Sequence, residues 1–147
     1  MIAYETKIEI ISDSKTIWKK LIETKNYDKW NPLIQKVEHD FELGKKTQIT
    51  VVPLANKMYI TPSEIIENEK LVWHAIQIHP LLLKAEHYFY LKEFNTVDFK
   101  GTRLIHGEKF TGIFSFFIQK KVFLKLSEGF DKHNQILKQI SEQEVAS

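Results

Sequence analysis

Four side chains in the second half of the chain could move protons or hold an ion: His87, His106, Glu108 and His133. Imidazole titrates near neutral pH, and a carboxylate beside it steadies the protonated ring, so such a group suits general acid–base work. Two histidines and a carboxylate are also the donor set of a non-haem iron site. A cavity wall, however, commonly carries a few polar groups that bond one another, water or a ligand. That second reading is preferred, and neither a metal nor a cofactor is expected. A lone histidine on an apolar helix stripe, as His133 is, reads first as a satisfied core residue and second as a member of the cluster.

Other chemistry has no foothold in the sequence. There is no Gly-x-Ser-x-Gly, no His-Glu-x-x-His and no phosphate-cradling loop. The chain has no cysteine, which removes disulfides, iron–sulfur clusters, thiolate zinc sites and thiol nucleophiles together.

The elements that must position the four residues are strands and one long helix. In the segments 86–94 and 102–113, alternation puts His87, Phe89 and Leu91 on one side of a strand. Leu104, His106, Glu108 and Phe110 share one side of the next. Glu86, Tyr88, Tyr90, Lys92, Arg103, Lys109 and Thr111 read as outer surface. If the hairpin pairs Phe94 with Gly101, then Leu91 faces Leu104, Phe89 faces His106 and His87 faces Glu108. Opposed residues have Cβ atoms ~4.5–5.5 Å apart, which would make His87 the proton donor of any chemistry here. A bulge at Gly107 would spoil that pairing.

From Phe116 to about Glu142 the period changes to that of a helix, with Phe123, Leu126, Phe130, His133, Leu137 and Ile140 in one stripe. Gly129 inside it implies close approach or a bend. Five further strands are expected, at 5–11, 34–40, 47–53, 58–66 and 71–78, with Trp73 facing inward beside Leu71 and Ala75. A helix capped by Ser12, Asp13 or Ser14 should run to about Thr24, and a turn at Tyr27–Trp30 must end before Pro32. Seven strands joined mostly by hairpins, with one long amphipathic helix, define an α+β domain of helix on antiparallel sheet.

The 147 residues fit one domain, and 21 basic against 19 acidic residues leave a formal charge of +2. Arg103 is the only arginine. Scattered lysines without arginine forks disfavour nucleic acid as a partner. No apolar run approaches the ~20 residues of an integral membrane segment, and the N-terminus lacks the pattern of a signal peptide, so a cytoplasmic protein is expected. Two apolar loops, 78–83 and 113–117, are odd for solvated turns. Leu81, Leu82, Leu83 and Phe114 are candidates for a cavity mouth, with edge cover, an oligomer contact or a membrane-docking patch as other uses.

The order of strand, helix and Tyr27-Asp28-Lys29-Trp30-Asn31-Pro32 resembles the opening of the START and polyketide-cyclase-like (SRPBCC) helix-grip superfamily. So do Met58–Pro62, Leu71–Trp73, Glu86–Leu91 and Gly101–Gly112, in that order. The resemblance spans nearly the whole chain and implies a seven-stranded curved antiparallel sheet around a long C-terminal helix. It also implies the range of that superfamily, from lipid and sterol carriers and coenzyme Q-binding proteins to polyketide cyclases and chaperone activators. The glycine-rich loop of the pollen-allergen branch is missing, since Gly44 stands among lysines.

The expectation is therefore a protein that binds or transports a small hydrophobic or amphipathic ligand between sheet and helix. Its candidate contacts are Trp73, His87, Phe89, Leu91, Leu104, His106, Glu108, Phe110, Phe130 and His133. The rivals are a cyclase or dehydratase using His87, His106 and Glu108, and a chaperone-activator-like interaction module. Oligomeric state is left open.

Overall fold

The computed structural model describes residues 1–77 and 79–146. Its seven strands are β1 (Ile2–Ile10), β2 (Ile34–Val37), β3 (Thr47–Val51), β4 (Asn56–Ile66), β5 (Lys70–Gln77), β6 (Leu83–Asn95) and β7 (Lys100–Thr111). They form one antiparallel sheet in the order β1-β7-β6-β5-β4-β3-β2. The helices are α1 (Ser14–Ile22), α2 (Tyr27–Trp30) and α3 (Lys120–Ala146). The α+β reading holds, with every expected strand present. The fifth expected strand ended at Ile78, which lies outside the described residues.

The crossing from β1 to β2 explains why the two edge strands are consecutive in the chain. Asp13 caps α1 by accepting a hydrogen bond from the Thr16 N–H at 2.7 Å. A 3-10 turn at Thr24–Asn26 then leads into α2, so α1 stops short of Thr24. The buried Tyr27 hydroxyl donates to the Leu21 carbonyl, tying α2 back to α1. Asn31 is extended, as the residue before Pro32 must be, and its side-chain oxygen accepts from the N–H groups of Leu33 and Ile34 at 2.9 and 3.0 Å. That launches β2, which is shorter than expected.

Helix α3 starts at Lys120; the residues before it, Ile113–Phe117, form a 3-10 turn. Its buried side carries Phe130, His133, Asn134, Leu137 and Ser141. Polar ties fix it lengthwise on β1: the Tyr4 hydroxyl donates to Asp131 at 3.1 Å, and the Lys138 ammonium to the Glu9 carbonyl at 2.9 Å. Gly129 marks a close approach, since a Cβ there would sit 2.5 Å from Leu33 Cδ2.

Strands β6 and β7 pair without a bulge from Lys84↔Thr111 to Asn95↔Lys100. The expected register therefore holds at each named pair: Phe94↔Gly101, Leu91↔Leu104, Phe89↔His106 and His87↔Glu108. One outer-face expectation fails. Tyr88 points away from α3 yet is buried, because its ring lies across Gly107 on the neighbouring strand. Its hydroxyl reaches Glu5 on β1, 2.6 Å away. Burial, then the Glu5 bond and charge, raise the Tyr88 phenol above its ordinary value.

Candidate functional site

A cavity of about 80 Å³ lies between the sheet and α3. Trp73, Ala85, His87, Glu108 and Phe110 supply its sheet wall, and Leu126 and Phe130 its helix wall. Leu33, Ile34, Ile49, Val51, Leu54 and Met58 close the side toward β2 and β3. Five of the expected contacts thus line it: Trp73, His87, Glu108, Phe110 and Phe130.

The other five, Phe89, Leu91, Leu104, His106 and His133, do not. They are core, and ring packing is the reason. His106 is stacked between Phe89 and Phe130, with centroids 4.2 and 4.3 Å away, and this filled layer divides the cavity from the far end of the sheet. Leu81, Leu82, Leu83 and Phe114, expected at the mouth, lie at the same end of β6 and β7 and are not among the lining residues. A larger recess, of about 830 Å³, is an open surface depression beside the charged turn Glu67–Lys70 and carries no comparable cluster.

His87 is held tightly. Its ring lies parallel on Trp73 at 4.5 Å and meets the edge of Phe130 at 5.0 Å. Its Nε2 lies 2.8 Å from His106 Nε2, and His106 Nδ1 lies 2.8 Å from Asn134 Oδ1. The opposed carboxylate is less close: His87 Nδ1 and Glu108 Oε2 are 3.9 Å apart, beyond hydrogen-bond range. The cross-strand pair exists, but the direct bond of His87 goes diagonally to His106.

The chain of bonds fixes a tautomer. Asn134 Oδ1 can only accept, so His106 Nδ1 carries the hydrogen. Burial foremost, then the neighbouring His87 and His133, hold His106 well below the usual imidazole range, so it is neutral and its Nε2 accepts. His87 Nε2–H must then donate. In neutral His87 the lone pair is left on Nδ1, the atom facing Glu108, and both residues line the cavity. A proton gained there would lie beside the carboxylate. Asn134 was not among the expected site residues; its place four residues after Phe130 on one helix face was the available signal.

His133 corrects a second expectation. It is buried against Trp30, Phe89 and His106, with centroids 5.1, 5.4 and 4.8 Å away. Neither ring nitrogen has a hydrogen-bond partner among the described residues, so it is not a satisfied core histidine. Burial, and after it the charge of His87, press it down to about 3. Among the described residues no three His, Asp or Glu side chains are grouped to hold a metal ion, and the two facing Nε2 atoms are engaged with each other.

No protein-family model and no curated protein matches the sequence. Solved structures match the fold. Protein MLL2253 from Mesorhizobium loti is 14% identical, over 97% of this chain and 98% of its own, with a TM-score of 0.74. DynU16, from the dynemicin biosynthetic locus, is 10% identical over 93% of this chain and 46% of its own, with a TM-score of 0.69. Ara h 8.0201 is 12% identical over 95% and 97%, with a TM-score of 0.69. At such identities the likeness carries the fold alone: a curved antiparallel sheet with a long C-terminal helix.

Proposed function

We propose that this chain is an SRPBCC-type binding protein that holds a small amphipathic molecule between the sheet and α3, its polar end toward His87 Nδ1 and Glu108. The observation that carries this reading is the cavity itself, where one titratable pair faces an otherwise apolar lining. Drug-sized ligands occupy roughly 300–1,000 Å³, and an engineered cavity of ~150 Å³ takes benzene. A volume near 80 Å³ therefore suits a very small occupant. Anything longer must displace Leu54, Met58 or Leu126, which are only half-buried. A cytoplasmic carrier of such a molecule fits the lack, among the described residues, of any helix long and apolar enough to cross a membrane.

The test uses benzoate and hexanol as probes, followed by the indole N–H resonance of Trp73 and its fluorescence. Saturable shifts at Trp73, abolished when Phe110→Trp fills the cavity, support the reading. No perturbation up to the solubility limit of either probe overturns it.

A second reading, proton-transfer catalysis on the bound molecule, is favoured by one specific observation, the Asn134–His106–His87 bond chain. Under it, His87 Nδ1 takes a proton from a bound carbon or hydroxyl acid, or returns one. Glu108 stabilises the imidazolium, while His106 and Asn134 hold the ring in place. Turnover of a bound probe with a pH profile lost in His87→Gln would favour the enzyme over the carrier.

A further inference from the structure

At the cavity end of β6 and β7 the chain builds an apolar tip that folding does not explain. Leu81, Ile113, Phe114, Phe116 and Phe117 are exposed by 72, 61, 43, 75 and 75%. Backbone bonds join the two loops: the Ile113 N–H donates to the Leu81 carbonyl at 3.0 Å, and the Phe114 N–H to the Leu82 carbonyl at 2.9 Å. Gly112 makes this possible. It has φ +99°, and a Cβ there would meet the Leu82 oxygen at 2.5 Å. Ser115 alone in the 3-10 turn faces inward and is buried, which turns the phenylalanines on either side of it outward. The tip is thus held open by hydrogen bonds and one obligatory glycine.

Along the chain, the charge that follows the tip into α3 has one sign. From Ile113 to Ser127 the chain holds three lysines, Lys120, Lys121 and Lys125, and no acidic residue. All three are exposed, and none is within salt-bridge distance of a carboxylate among the described residues. Lys120 and Lys121 stand in the first turn of α3, where the helix dipole favours acids and disfavours cations. Local stability therefore argues against lysine at both positions. Aromatic and leucine side chains at a tip, rimmed by unpaired lysines, are what an interfacial contact with anionic headgroups requires.

We propose that this tip docks on an anionic lipid surface. Phe116, Phe117, Leu81 and Ile113 enter the headgroup region, and Lys120, Lys121 and Lys125 meet lipid phosphates. The cavity wall at Ala85 and Phe110 lies just inside the same end of the sheet, so docking would bring the cavity to the membrane. The proposal stands whether or not the cavity binds a small molecule.

The experiment is co-sedimentation of the full chain with vesicles of phosphatidylcholine mixed with phosphatidylglycerol, and with phosphatidylcholine alone. The expected result is binding to the anionic vesicles that weakens with salt, and a loss of roughly fivefold or more for each lysine reversed in Lys120→Glu and Lys121→Glu. Phe116→Ser with Phe117→Ser should lower binding roughly tenfold or more while the melting temperature and the benzoate response of Trp73 stay as in wild type. Absence of binding to anionic vesicles at low salt overturns the proposal, as does equal binding by the Phe116→Ser, Phe117→Ser protein. A wild-type dimer that those two serines dissolve, without vesicle binding, overturns it in favour of self-association.

Discussion

His87 and His106 meet through their Nε2 atoms at 2.8 Å although strand pairing sets them on the diagonal, with Glu108 and Phe89 as their direct partners. Only a neutral His106 can accept there, and Asn134 keeps its remaining hydrogen on Nδ1. One amide on α3 thus decides that in neutral His87 the lone pair sits on Nδ1, the nitrogen facing Glu108.

Replacing Asn134 by leucine should therefore do more than destabilise. The buried His106 Nδ1–H loses its acceptor, at a cost of about 1–3 kcal/mol. The His106 tautomer is no longer dictated, and His87 can turn its lone pair toward His106. Nitrogen-15 shifts of the two rings report this directly. Wild type should show His106 as the Nδ1–H form, and a wild-type Nε2–H form would contradict the derived bond chain.

The acid limb of stability follows from His106 and His133. Both have depressed imidazoles in the folded protein, His133 down to about 3, while the unfolded chain takes up protons near pH 6.5. The stability tied to their neutral forms is fully present above about pH 6.5 and falls as the pH drops toward 3, by up to about 1.4 kcal/mol per pH unit for each ring. His133→Leu removes two unpartnered buried nitrogens. It should raise the urea midpoint at neutral pH and flatten the acid limb. An unchanged pH dependence in that variant would show that His133 titrates normally.

Periodicity and hairpin spacing were enough to reach the sheet, the β6–β7 register and the inward side of His87 and Glu108, because alternation and a short turn determine them locally. The division of labour behind that face was not legible. Whether Phe89, His106 and Phe130 stack into a filled layer or leave a cavity depends on distances between β6, β7 and α3, which no one segment encodes. The same holds for Tyr88. Alternation placed it outside, but its burial comes from Gly107 one strand away.

That contact is open to a mutant cycle. Gly107→Ala would put a Cβ 2.3 Å from the Tyr88 hydroxyl and 2.9 Å from the Tyr4 carbonyl, and should cost about 1–3 kcal/mol by displacing the ring. Tyr88→Phe gives up the bond to a half-exposed Glu5 and should cost about 1 kcal/mol. Tyr88→Ala combined with Gly107→Ala should cost less than the sum of the two by about 0.5 kcal/mol or more. Strict additivity in chemical denaturation would mean the ring is not what Gly107 accommodates.

Glu108→Gln tests whether the cavity pair acts as a pair. The carboxylate lies 3.9 Å from His87 Nδ1 with its side chain mostly buried, so a ligand's polar end seated at His87 also meets its charge. The neutral amide removes the charge and keeps the shape. Benzoate, whose own carboxylate no longer meets a second one, should bind severalfold tighter to the variant, followed at Trp73, with little change in melting temperature. The Nε2 bond to His106 should persist in both proteins. If the two proteins bind benzoate equally, Glu108 does not act on a ligand's polar end, and neither binding of that end nor proton transfer can rest on the pair.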